Sequence, residues 1–529
     1  MIQPWDGGEE QAQRARARVS AEVESFSRRR HVEVAIIPTL WSAVAVCSGD
    51  GACSLDCSSG LRSCARPYAH PGPASGCSSS PSAHGHAHGC PKAGGRSLAN
   101  AGCSEAPQPA VGAPVPALLR SGAGEEEFFN KVLDLFEQKH PNIKVNRVFA
   151  PGGQDYITKL DLMIASGDPP AIYGPFSDRG YRYYAAKGLS QELDDFVARD
   201  KVNLDDFHQD GLKGCRWRGK LMALPLDLWP HVIFYNRHIF REAGVADLPT
   251  DWNNQEWTTE RYEELAGKLT KREGNRVVQF GSDVYFRGWP AGWVYGGDWF
   301  PPDTYTTGIV AEFIGDKDPR VINGVQWTAD LINKLHYAPT PAQAQQIQAG
   351  VPVLFMSGKI GMGVADIGRL SRYAKIKEFE WGVGVLPRPP KGEPRRHHVW
   401  IDYWSMIKGT KNLEGAWQLL KFMVSPEAQE IYPIQYGPLS SLKSLASTWS
   451  KYHAKNLPNL SSKEFQVITD APQYQVIDPE NWTVNFSVIN AQVMQPALDK
   501  VYLGQESAEQ AIKNMAPKVR KVIEETKNV

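Results

Sequence analysis

The sequence predicts an α/β protein, and three observations carry that reading. From about residue 115 onward, helix-like stretches with one apolar face alternate with short apolar or β-branched runs, as expected of strands covered by helices. At 529 residues the chain is too long for one core and suggests two or three domains. The first 114 or so residues differ in kind. From Ser48 to Pro116 they are mostly Gly, Ser, Pro, Ala, His and Cys, with too few large apolar side chains to build a core.

Composition narrows the function classes. Lys+Arg and Asp+Glu are 58 each, so net charge points to neither nucleic acid nor an acidic membrane as partner. Of the 16 tryptophans only Trp5 and Trp41 precede residue 200. So many rings beside Gly and Pro in the body suggest aromatic faces lining a cleft. No apolar run is long enough to span a bilayer.

The N-terminal segment, 1–114, reads as low-complexity and disordered. Arg28-Arg29-Arg30, the apolar stretch Val32–Val46 and then Cys47 resemble an export signal ending in a lipid-modified cysteine. Three features depart from that pattern: the distance from Met1, Glu33 inside the apolar stretch, and Val46 where a small residue is wanted. A foreign N-terminus replacing the export signal is the other reading. Seven of the eight cysteines fall here, and only Cys215 lies in the body. His84, His86, His88 and Cys90 are of metal-ligating type, but no paired CxxC accompanies them, so no metal or other cofactor is expected.

The body starts at Val115–Arg120, a poor first strand. Glu125-Glu126-Glu127 then place negative charge where a helix dipole favours it, and Phe128, Val132, Leu135 and Phe136 share one helical face. Asn142–Val145 leads into a second strand. Tyr156–Ala165 is a further amphipathic helix, Ala171–Tyr173 a short buried strand, and Asp178-Arg179 lie on the loop after it. Leu221–Leu224 and Val232–Tyr235 read as two short strands around Pro225, Asp227, Trp229 and Pro230. Because Pro225 cannot donate to a central ladder, the chain is expected to leave one sheet there and enter another. An edge hairpin is the local alternative. A helix with Tyr262, Leu265, Ala266 and Leu269 inward follows Thr258 or Thr259 as N-cap.

Several of these stretches, in this order, carry a resemblance. Gly219-Lys220-Leu221-Met222-Ala223-Leu224-Pro225 and Tyr235-Asn236 through Ala243-Gly244 are similar to the interdomain crossover of family 1 extracellular solute-binding proteins, the maltose-binding-protein-like sugar receptors of ABC importers. Gly288–Pro302, Ser357–Leu370, Trp381–Gly392, Trp400–Gln429 and Tyr436–Ser441 resemble further family segments, so the likeness runs from about Leu118 to the C-terminus. Ile367 stands near a position where many members have Trp. The resemblance implies a two-lobed periplasmic-binding-protein-like fold (type II) with a hinge and an interlobe cleft. It divides the chain into lobe 1 at 115–226 plus 388–436 and lobe 2 at 227–387 plus 437–529. It also implies a periplasmic or extracellular monomer that takes a carbohydrate and delivers it to the membrane permease subunits of an ABC transporter.

A sugar cleft needs aromatic faces for C–H patches and polar groups for hydroxyls. Trp229, Trp289, Trp293, Trp299, Trp400 and Trp404, with Tyr436, are of the first kind, and each is as readily a core residue. Asp178, Arg179, Asp227, Asp366, Arg369 and Asp402 are of the second kind, and each is as readily a surface ion pair or a cap. Catalysis is not expected. No Gly-x-Ser-x-Gly, Walker loop, dinucleotide fingerprint or HExxH occurs, and Cys215 reads as structural despite its basic neighbours. A receptor for a polyamine, iron or glycerol phosphate, a glycan-active enzyme, and an interaction protein without a transport role are the competing classes.

Overall fold

The computed structural model describes the backbone of residues 33–35, 44–47 and 53–56, and residues 113–122, 124–175, 180–283, 287–390, 393, 397–477, 479 and 483–528. The chain divides into two units, Met1–Ala101 and Gly102–Val529. In the first, strands β1 (Glu33–Ala35), β2 (Val44–Cys47) and β3 (Cys53–Asp56) form an antiparallel sheet in that order. Sequence reading expected no element there, although Val44-Ala45-Val46 is a β-prone run. The basic cluster at 28–30 and the His/Cys tract at 84–90 lie outside the described residues.

The second unit opens on β4 (Val115–Ser121), which is flanked by β5 (Val145–Pro151) and β6 (Ile172–Gly174), both parallel to it. The segment that reads as a poor strand is thus a central one. Val115 and Ala117-Leu118-Leu119 are all 0% exposed, because helices cover both faces of a parallel sheet. The helix Glu125–Lys139 packs on it through Phe129, Val132, Leu133 and Phe136. Phe128 and Leu135 are only partly buried, so the apolar face is rotated slightly from the expected one.

After a two-stranded ribbon of β7 (Arg216–Trp217) and β8 (Lys220–Leu221), the chain enters β9 (Ala223–Asn236), a continuous strand of 14 residues. This corrects the expectation of two short strands parted at Pro225. Later come β10 (Lys271–Glu273), β11 (Arg276–Ser282), β12 (Ile360–Asp366), β13 (Trp381–Gly384), β14 (His398–Met406), β15 (Leu439–Ser440) and β16 (Val476–Ile477). The strand order is β10-β11-β12-β9-β14-β6-β4-β5, with β13 and β15 also paired to β9 and β16 to β14.

β9 therefore belongs to two groups of strands. Its first part pairs antiparallel with β14 from Ala223 to Pro230, and its second part pairs with β12 and β13 from His231 onward. The change of partner falls at Pro230–His231, several residues beyond Pro225. Pro225 is accommodated instead by a bulge. Tyr403 faces Pro225 and Asp402 faces Asp227, which leaves Leu226 as the extra residue. A strand shared in this way joins two α/β lobes without a flexible linker, and this is a two-lobed periplasmic-binding-protein-like architecture.

Candidate functional site

Burial points to a candidate site. Trp229 is the only residue of β9 that is not fully buried, and in β14 only His398 and Trp400 are partly exposed. All three sit where β9 changes partner. In register, Trp400 faces Trp229 and Asp402 faces Asp227. Cross-strand partners share a sheet face, and so do residues two apart on one strand, so the two Trp and two Asp form one block. Each indole N–H donates to the aspartate on its own strand: Trp229 Nε1 to Asp227 Oδ1 at 2.9 Å and Trp400 Nε1 to Asp402 Oδ1 at 3.3 Å. The rings are held by their own neighbours, so little rotamer freedom is left to lose when a ligand arrives.

Around this block lies a cavity of about 370 Å³ lined by Arg120, Trp229, His231, Asp366, His398, Trp400 and Asp402. That volume and the mix of aromatic walls with a few convergent polar groups suit a small solute. Trp229 is wedged from behind. Tyr436 meets it edge-on with ring centroids 6.1 Å apart, and a Cβ on Gly368 would lie 2.6 Å from Trp229 Cζ3. His231 and His398 pack ring against ring at 4.2 Å, and burial lowers the pKa of both, so they are neutral members of the wall.

The charges are anchored from β4. Arg120 Nη2 donates to Glu125 Oε1 at 2.6 Å and lies 3.1 Å from Asp402 Oδ2. Arg120 Nε donates to both oxygens of Glu125 at 3.0 Å, and Tyr432 Oη donates to Glu125 Oε1 at 3.0 Å. Burial works against the charge on Arg120, yet facing Asp402, Tyr432 and Glu125 outweigh it and raise its pKa above the ordinary value. Glu125, expected as a helix-start charge, is 2% exposed. Asp227 and Asp402 are both 0% exposed. Burial first, and then the charge of Asp402, push the Asp227 carboxyl well above the usual carboxylate range. Burial also raises Asp402, against the pull of Arg120.

The sequence-predicted residues divide clearly. Trp229, Asp366, Trp400 and Asp402 line the cavity, with Asp227 and Tyr436 directly behind them. Arg369 stands beside Asp366 at 3.7 Å, in a half-exposed pair. Trp289 is 6% exposed and packs on His398 of the cavity wall, with ring centroids 5.2 Å apart. Trp293 and Trp299 belong to the core, each 1% exposed. Their indole N–H groups donate inward, to Asp298 Oδ1 at 3.2 Å and the Trp289 carbonyl at 2.6 Å, so neither presents a face to the cavity. Trp404 is 0% exposed and packs on Phe129. Asp178 and Arg179 lie outside the described residues. Arg120, Glu125, His231 and His398 were not expected. A basic residue at the carboxyl end of the first strand was the available signal for Arg120, since ligands of open α/β folds sit at that end. Cys215 is buried, and burial pushes its thiol pKa up, as for a structural cysteine.

Two α/β lobes sharing one strand, with a polar, aromatic-walled cavity at the point of sharing, form the architecture of a solute-binding protein. Residues 120–430 match the bacterial extracellular solute-binding protein family, and the chain belongs to it. This is a family of extracellular binding proteins, not of enzymes. Over 398 residues the chain is 23% identical to a binding protein of Brucella abortus, covering 75% of this chain and 90% of that one. Its fold is similar to an ABC substrate-binding protein of Listeria monocytogenes in complex with cycloalternan, at TM-score 0.63 and 22% identity, covering 78% of this chain and 99% of that one. It is likewise similar to UgpB of Mycobacterium tuberculosis in complex with glycerophosphocholine, at TM-score 0.61 and 16% identity, covering 78% and 99%.

Proposed function

We propose that this chain captures a neutral carbohydrate against Trp229 and Trp400 and delivers it, as a monomer, to the membrane permease of an ABC importer. The observation that carries the reading is the in-register block of two indoles and two aspartates at the partner change of β9. Indole faces cover the C–H patches of a sugar, while Asp366, Asp402 and Arg120 meet its hydroxyls. Cycloalternan in the Listeria protein supports a carbohydrate.

Glycerophosphocholine in the Mycobacterium protein supports a second reading, a phosphodiester held by Arg120. The charges disfavour it. Arg120 is already matched by Glu125 and Asp402, so a phosphate would enter a site with a surplus of carboxylates.

The lobes we assign are 115–226 with 388–436 and 227–387 with 437–529, moving about the middle of β9. The solute touches both only when they close, so binding shifts an existing open–closed equilibrium. Intrinsic tryptophan fluorescence titrated with maltose, cycloalternan, glycerophosphocholine and spermidine tests the reading. Saturable quenching by a sugar alone supports it. A response to glycerophosphocholine or spermidine alone overturns it.

A further inference from the structure

Among the described residues, the site contains more buried acid than its one cation serves. From β4 comes Arg120, from the following helix Glu125, from β9 Asp227 and from β14 Asp402. Tyr432 and Tyr436 close the group from the segment before β15. On the other side of β9 its register partner is Ser440, which is uncharged. With Glu125, Asp227 and Asp402 all ionised, Arg120 would face three buried negative charges. Like charges directly opposite each other in a strand pair are destabilising even at a surface, and far more so when desolvated.

Geometry distinguishes the two aspartates. Asp402 lies 3.1 Å from the Arg120 guanidinium and lines the cavity. Asp227 does not line the cavity. Its Oδ1 accepts the Trp229 indole N–H, and its Oδ2, like Asp402 Oδ2, is buried without a hydrogen bond, but among the described residues only Asp402 Oδ2 has the Arg120 cation beside it. An oxygen with no donor beside it is the natural seat of a carboxylic acid proton, and the carboxyl opposite it in register is Asp402.

We propose that Asp227 is a positioning residue that holds one proton for the pair, keeping Asp402 ionised beside Arg120 to accept from a solute hydroxyl, so that solute binding is linked to pH through a residue the solute does not touch. Closing the cleft removes water from the cavity. With the proton in place, closure covers one carboxylate already matched by Arg120. With the proton gone, closure must cover a second, unmatched one, so the closed state and the affinity both fall. The inference about affinity rests on the carbohydrate reading, whereas the inference about the proton does not.

The test begins without ligand. Full-length protein carrying 13C-labelled aspartate carboxyls is titrated by NMR. The expected result is one carboxyl still protonated in the neutral range, absent in Asp227→Asn, with the Trp229 indole N–H shifting in step with it. Both carboxyls ionised throughout the neutral range would overturn the proposal. Maltose binding is then measured as the pH rises through that ionisation. Wild type should lose affinity by about tenfold per unit of linked pKa difference, and Asp227→Asn should give a flat profile while melting as a folded protein. A pH profile in Asp227→Asn that matches wild type overturns the assignment to Asp227. Failure of maltose to bind at any pH counts against the carbohydrate reading alone, and the aspartate titration still decides the proton.

Discussion

Trp229 and Trp400 stand opposite each other on neighbouring antiparallel strands, each tied by its indole N–H to an aspartate on its own strand. The pairing makes two aromatic walls a property of the sheet register and not of mobile loops. It also joins ring orientation to the charge cluster beneath, because the acceptors are the buried carboxyls.

Trp229→Ala should weaken sugar binding by roughly 1–3 kcal/mol, the scale of one lost aromatic contact. The ring is partly exposed in β9, so the loss of folding stability should be smaller than for a core tryptophan such as Trp404. Titration and melting of the one purified variant separate the outcomes. A large drop in melting temperature with unchanged affinity would make Trp229 a hinge wedge and not a ligand wall.

Arg120→Met should act the other way round, chiefly on stability. Removing the guanidinium leaves Glu125 and Asp402 buried without their cation, and breaking a buried pair in this manner costs about 3–5 kcal/mol. Urea denaturation at neutral pH measures it. Part of the loss should return at low pH, where the stranded carboxylates take up protons.

Gly368→Ala separates ring position from ring presence. A Cβ at residue 368 would lie 2.6 Å from Trp229 Cζ3 and 2.7 Å from Asp366 Oδ1. Either the ring or the turn must move, so sugar affinity should drop about tenfold, as for a ~1.4 kcal/mol misfit, with little change in melting. Unaltered affinity would show that Trp229 can shift without consequence for the ligand.

Acid should destabilise the fold through two histidines away from the cavity. Burial lowers His208 to about 4, helped by Lys443, and burial lowers His453 to about 4 as well. A folded-state value below the unfolded one means that the stability contribution is complete above the unfolded value, near 6.5, and is lost as the pH falls toward 4. Up to roughly 3 kcal/mol is at stake for each. Urea midpoints across that range should flatten in His208→Asn and His453→Asn. The raised Asp227 works in the opposite sense, contributing most at low pH and less as the pH rises through its folded value.

The crossover shows where sequence reasoning stopped short. Leu221–Leu224 and Val232–Tyr235 are legible as β-structure, and Pro225 is legible as an interruption. The strand nevertheless runs through, because a bulge at Leu226 absorbs the missing N–H and β14 continues past it. The weak-looking Val115–Ser121 became a central strand for a related reason. Its partners at Val145–Pro151 and Ile172–Gly174 supply the burial that local propensity does not.

Sequence by itself determined the α/β alternation and the family, because helical periodicity and ordered motifs are local properties of the chain. It also singled out Trp229, Trp400, Asp227 and Asp402, four of the residues that make up the site we propose. Tertiary structure alone decided which tryptophans line the cavity and which fill the core, since Trp293, Trp299 and Trp404 have the same chemistry and differ only in what surrounds them. It alone brought Arg120 of β4, paired with Glu125 of the following helix, to Asp402 of β14, far away along the chain. Burial and long-range charge depend on the packed whole, and no local pattern in the chain records them.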